Sequence, residues 1–237
     1  MGESDVPGRV EPVAIIEACV DSLESARAAE AAGADRLELC GPGAGGVTPS
    51  ASLLALVLAH ARVPVHVMVR PREGDFEYTE EEFDVMRRGV ELAKGAGAAG
   101  VVFGILRTDH SLDAKRMAEL IVLARPMRVA CHRAFDATPD ADAALDTLLA
   151  LGVDLVLTSG HAATALEGAD TLARHVERAG DRLTILAGGS VRAANAPALV
   201  ARSGVREVHA RATDPAILAA LVRSLHSASP RPASLDT

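Results

Sequence analysis

The sequence predicts an α/β chain folded as a (β/α)8 TIM barrel, and three observations carry that expectation. Eight short apolar stretches, at 13–18, 36–40, 65–69, 100–104, 128–132, 154–158, 183–187 and 206–210, have the length and content of buried strands. They recur about 22 to 35 residues apart, with helix-period segments between them. Gly33, Gly97, Gly152 and Gly204 each fall where a helix ends and a strand begins, as a left-handed C-cap requires. Those glycines precede strands two, four, six and eight, which marks a repeated βαβα unit with right-handed crossovers. Eight units without a break favour a closed barrel, with a doubly wound open sheet as the alternative.

Composition bounds the rest. With 237 residues and 49% hydrophobic content, the chain can build one large core, assigned to residues 13–226. Residues 1–12 and 227–237 carry no apolar period and are expected to be disordered. A formal charge of −8, no Trp and 2% aromatics argue against nucleic acid, which is bound through phosphate neutralisation and base stacking. No apolar run is long enough for a membrane span, and the start of the chain is acidic and polar, so a cytoplasmic protein is expected. Cys19, Cys40 and Cys131 cannot all pair, and reduced thiols are the default for such a chain.

Taken in order, the elements place their polar residues at strand ends. Strand side chains alternate, so Glu17 shares a face with Cys19, and Glu38 shares one with Cys40. Asp21 to Glu24 has the form of a capping box for the first helix. The second strand opens into a Gly/Pro loop, Gly41 to Gly46, that forbids regular structure. The third strand brings Met68, then Arg70 and Arg72 in a loop to Tyr78 that reads as a lid, before a capping box at Thr79 to Glu82. The fourth ends at Gly104. The fifth brings His132 and Arg133 with Asp136, and Cys131 points to the face opposite His132; Thr138-Pro139 reads as the start of the next helix. Thr158 and Ser159 end the sixth strand. Gly188, Gly189 and Ser190 end the seventh, ahead of a helix expected near Arg192, a place where barrels bind phosphate through backbone amides. His209 and Arg211 end the eighth. His60, His110, His161, His175 and His226 fall on helices or loops and are expected to be solvated.

Several of these motifs, in this order, resemble the CutC family, named for copper homeostasis. They are residues 17–40, Gly45 to Ser50, Val65 to Arg72, Gly74 to Phe76, Gly100 to Gly104, His132 to Asp136 and Leu157 to Gly160. The resemblance runs over about residues 13 to 212. It implies a TIM barrel, a cytoplasmic location, homo-oligomers and a copper-binding role with Cu(I) on two strand-end cysteines, here Cys19 and Cys40. Two positions depart from the family pattern. Ala187-Gly-Gly-Ser190 replaces a Pro-Gly-Gly-Gly turn, and Cys131 stands where an aromatic is usual.

Residue chemistry leaves two uses of this rim open. Thiolates are soft ligands suited to Cu(I), with Met68 or His209 as additional ligands, while buried Cys residues also serve as small hydrophobes. The alternative is a lyase, isomerase or hydrolase acting on a small anionic, phosphorylated or carboxylated metabolite. There Glu17, Glu38 and His132 are acid/base candidates, and Arg70, Arg72, Arg133 and Arg211, with Gly188, Gly189 and Ser190, hold the anion. The glutamates alternatively pair with these arginines in a buried ion network. A structural Zn site is disfavoured by the absence of Cys-x-x-Cys spacing. Lys94 and Lys115 both lie on expected helices or their flanks, so no Schiff-base cofactor chemistry is expected, and no nucleotide cofactor.

Overall fold

The computed structural model describes residues 14–43, 46–211 and 214–227. Eight parallel strands, β1 (Ile15–Val20), β2 (Arg36–Leu39), β3 (Val65–Met68), β4 (Gly100–Phe103), β5 (Arg128–Cys131), β6 (Leu155–Thr158), β7 (Thr184–Ala187) and β8 (Glu207–Arg211), pair in chain order. β1 returns to β8 in the register Ile15 to Glu207 through Cys19 to Arg211, so the sheet is a closed barrel and the open-sheet alternative falls. The helices are α1 (Leu23–Ala32), α2 (Ala51–Leu58), α3 (Glu80–Gly95), α4 (Ala114–Ala124), α5 (Ala141–Leu151), α6 (Ala169–Ala179), α7 (Ala196–Ser203) and α8 (Pro215–Ser227).

Alternation along the strands builds two compartments. Ile16, Ala18 and Val20 of β1, Leu37 and Leu39 of β2, and Val65 and Val67 of β3 face outward and pack with the helices, Phe83, Met86 and Val90 of α3 among them. Burying each side chain of Val, Leu, Ile or Phe size stabilises the fold by about 1.5–3 kcal/mol. Cys131 belongs to this outer layer; complete burial raises its thiol to about 12, which leaves it an inert small hydrophobe. The residues between, Glu17 and Cys19, Arg36 and Glu38, His66 and Met68, project inside the barrel.

The expected left-handed glycines are all present, with φ of +98° at Gly33, +83° at Gly97, +68° at Gly152 and +68° at Gly204. Other local expectations shift. β1 covers residues 15–20 and not 13–18, because its pairing with β2 and β8 extends to Val20 and Cys19. The first helix is capped by Ser22, with Ser25 and not Glu24 closing the box. Asp140, not Thr138, caps α5, accepting from the N–H groups of Asp142 and Ala143, while Thr138 ends a short 3-10 turn at Phe135–Ala137. The helix expected near Arg192 starts at Ala196, after a turn in which Asn195 accepts from the Arg192 N–H. His175 is 1% exposed, edge-on to Phe135, and so is not solvated. The expected disorder of residues 1–12 lies outside the described residues, as do residues 228–237 of the tail and Gly45. Among the described residues no helix is long and apolar enough to cross a membrane.

Candidate functional site

The C-terminal ends of the strands surround a cavity of about 370 Å3. Its floor is a hydrogen-bonded cluster of buried charge. Arg36 donates through Nε to Glu17 and through Nη2 to Glu207, joining β1, β2 and β8 at the level where Glu17 is the registered neighbour of both Arg36 and His209. His209 Nδ1 lies 2.9 Å from Glu17 Oε1, and its Nε2 lies 3.8 Å from Glu38 Oε2. His66 Nδ1 stands 3.6 Å from the other Glu17 oxygen. Glu17 is thus a sealed ion-pair partner below the cavity.

These neighbours split the two carboxyls. Burial pushes Glu17 up, but the His209 hydrogen bond and the Arg36 charge outweigh it and hold the carboxyl well below the usual range. Glu38 has no arginine partner; burial raises it to about 8, opposed by His209 and reinforced by the nearby Cys19 and Glu17 charges. Glu38 Oε1 is buried without a hydrogen-bond partner among the described residues. Burial also disfavours charge on His209, yet Glu38, Cys19 and Glu17 together raise it well above the ordinary histidine range.

The two thiols lie directly above. Cys19 Sγ and Cys40 Sγ are 3.8 Å apart, and Cys40 Sγ is 3.6 Å from Glu38 Oε2. The hydrogen bond with Cys40 lowers the Cys19 thiol to about 4 against the opposing effect of burial, with His209 adding to the shift. The same bond, burial and the Glu38 charge raise Cys40. Of the two, Cys19 therefore gives up its proton more readily than Cys40. Ligand atoms of Cys19, Glu38 and His209 all lie within 4.8 Å of one another. Cys40 also packs with Met68, Val102, Ala130 and Leu155, so the thiols stand at the boundary of a polar and an apolar region.

The rim holds the other expected residues. Arg70 lines the cavity, donates to the Gly74 carbonyl and covers the Phe76 ring at 4.8 Å. Arg133 lines it with its guanidinium fixed by Asp136 and Ser159, and Arg211 closes the side nearest Gly43. His132 forms the far wall, its ring 4.9 Å from that of Phe76, and burial with the Arg70 charge lowers it to about 3. The structure brings Glu17, Glu38 and His209 together; His132 makes no hydrogen bond to either glutamate. Arg72 is outside the cavity wall, tied to Asp75 and Glu82 within the loop from Arg70 to Tyr78. Gly188 packs under Leu157, whose Cδ1 would stand 2.4 Å from a Cβ there, and Gly189 and Ser190 reach the cavity. Sequence reading missed Arg36, His66, Glu207 and Arg192. The first three share the parity of Glu38, Met68 and His209, so strand alternation alone would have found them.

The CutC family profile matches residues 14–214. The chain belongs to the CutC family. A human relative, the copper homeostasis protein cutC homolog, is 45% identical over 199 residues, 84% of this chain and 73% of that protein. A CutC family protein from Photobacterium profundum is 40% identical over 217 residues, 90% of this chain and 89% of its own. The crystal structure of CutC from Streptococcus agalactiae superposes with a TM-score of 0.78 at 29% identity, covering 83% of this chain and 97% of that one. The barrel itself is more widely shared. N-(5'-phosphoribosyl)anthranilate isomerase from Pyrococcus furiosus has a TM-score of 0.60 at 15% identity, covering 90% of this chain and 99% of its own, a likeness of fold alone.

Proposed function

We propose that this CutC-family chain binds Cu(I) through the sulfurs of Cys19 and Cys40 and takes part in copper homeostasis through that site. The observation that carries the reading is the pair of sulfurs 3.8 Å apart at the end of a closed barrel, with side-chain atoms of Glu38 and His209 within 4.8 Å of Cys19. Soft thiolates suit Cu(I), and Met68, packed on Cys40, is a soft thioether within the same cluster. On the cavity floor Arg36 and His209 pair with Glu17 and Glu207. Glu38 Oε1, buried and without a hydrogen-bond partner among the described residues, is a polar atom that the folded chain leaves open.

Loading in this reading is coupled to proton release. Cys40 holds its proton tightly, so Cu(I) must displace it, and apparent affinity rises with pH until that thiol ionises. Reduced thiols are needed, and we place the site in the cytoplasm, where they persist. The test is Cu(I) titration under anaerobic reduction against a competing chelator. One copper per chain is expected, with loss of more than about 100-fold in affinity, or about 2.7 kcal/mol, in a Cys19→Ser/Cys40→Ser variant. Unchanged stoichiometry and affinity in that variant would sink the thiolate site.

A further inference from the structure

Above the thiols, the cavity mouth carries a second set of donors that copper does not use. The chain is acidic, with a formal charge of −8, yet Arg70, Arg133, Arg192 and Arg211 all line this mouth. A solvated basic face would leave such side chains unoriented. Arg133 is oriented: its Nε donates to Asp136 Oδ2 at 2.7 Å and its Nη2 to Ser159 Oγ at 2.9 Å. Asp136 is in turn held by the Thr158 hydroxyl and the Ser159 N–H. What remains is Arg133 Nη1, without a partner among the described residues and 3.9 Å from where a Cβ on Gly189 would stand.

Two more donors line the same cavity. His132 is 4% exposed, and its Nδ1 accepts the Ala134 N–H, so the ring proton is on Nε2. That Nε2–H is buried and has no hydrogen-bond partner among the described residues, which costs free energy unless a ligand accepts from it. Also lining the cavity, the chain turns at Gly189 and Ser190 with φ of +113° and +57°, a left-handed pair in which serine is strained. The N–H groups of both residues donate to nothing among the described residues. Successive unpaired N–H groups of this kind form a concave anion receptor.

We propose that the mouth of the barrel binds a small metabolite through a phosphate monoester group. The phosphate is held by Arg133 Nη1, His132 Nε2–H and the Gly189 and Ser190 N–H groups, with Arg192 closing from the exposed side. A phosphate dianion matches this set better than a carboxylate does, because it offers three acceptor oxygens to several donors. The cavity of about 370 Å3 leaves room for a few carbons beyond the phosphate, which puts their far end at Glu38 and the thiols. The proposal stands without the copper reading, since none of its donors is a sulfur or a carboxylate.

The test is isothermal titration of reduced, metal-free protein in phosphate-free buffer with glycerol 3-phosphate, inorganic phosphate and malonate. Saturable binding of both phosphate probes is expected, with malonate at least about 10-fold weaker. Arg133→Gln and Arg192→Gln, both at exposed side chains, should each weaken glycerol 3-phosphate by about 10-fold while melting temperature stays put. Cys19→Ser/Cys40→Ser should bind the phosphate probes as the wild type does, which separates failure here from failure of the copper site. No saturable heat from either phosphate probe, affinity unmoved by both arginine variants, or malonate binding as tightly as phosphate would overturn the proposal.

Discussion

The two halves of the barrel interior are built from the same strand geometry and opposite chemistry. β8, β1, β2 and β3 send inward Glu207 and His209, Glu17 and Cys19, Arg36 and Glu38, His66 and Met68. β4 to β7 send Gly100 and Val102, Arg128 and Ala130, Leu155 and Leu157, and Thr184 and Leu186, apolar except at the strand starts Arg128 and Thr184. The apolar half leaves room for the polar one: a Cβ on Gly100 would stand 2.5 Å from His66 Cδ2 and 2.9 Å from the Arg128 carbonyl oxygen. It also supplies a wall of low polarizability, which strengthens every charge interaction opposite it. The lesson is that the site is a property of the contrast. Charges that pair across β8, β1 and β2 hold the thiols against a hydrocarbon surface on the other side.

Breaking the polar half should have the largest effect. Arg36→Met leaves Glu17 and Glu207 buried without their shared cation and is expected to cost about 3–5 kcal/mol in chemical denaturation. A loss under about 1 kcal/mol would mean that the two halves are not energetically distinct. Gly100→Ala attacks the fit between the halves. Because the His66 ring and a backbone oxygen both obstruct the new methyl, about 1–3 kcal/mol is expected, read from the same denaturation curves.

Most of the barrel was legible in the sequence, because eight apolar runs and four recurrent glycines report local geometry. Closure was favoured by eight units without a break, and the pairing of β1 with β8 meets that expectation. The strand ends identified the cavity: Cys19, Cys40, Glu38 and His209 converge on it as alternation implied. Arg36 was missed because an arginine at the start of a strand reads as solvated, although it shares the parity of Glu38 and is 4% exposed. Arg72 was counted with the anion-binding residues on its proximity to Arg70, but two residues further along an irregular loop carry no alternation, and its guanidinium turns to Glu82. The loop partners of such residues lie beyond anything a strand period encodes.

Smaller effects sharpen the comparison. His132 is the titrating side chain on the apolar wall, and burial lowers it to about 3 from an ordinary 6.5. Between those values the unfolded chain binds a proton that the folded one refuses, so stability falls as pH drops below 6.5. His132→Gln should therefore flatten the acid limb of the stability profile by about 1 kcal/mol per pH unit, measured as denaturation midpoints from pH 6.5 to 4. An unaltered slope would show that this histidine is hydrated or charged in the folded state. Smallest of all, Arg72→Ala removes exposed pairs with Asp75 and Glu82 and should cost under about 1 kcal/mol, leaving phosphate and copper titrations unchanged. A loss of either ligand in that variant would return Arg72 to the site.

The central claim, that the contrast of halves presents two sulfurs to one Cu(I), is tested most directly by X-ray absorption at the copper edge of the loaded, reduced protein. The account predicts a first shell containing two sulfurs in the wild type, falling to one in Cys40→Ser with Cys19 retained. A first shell of nitrogen and oxygen alone, unchanged by that substitution, would contradict it.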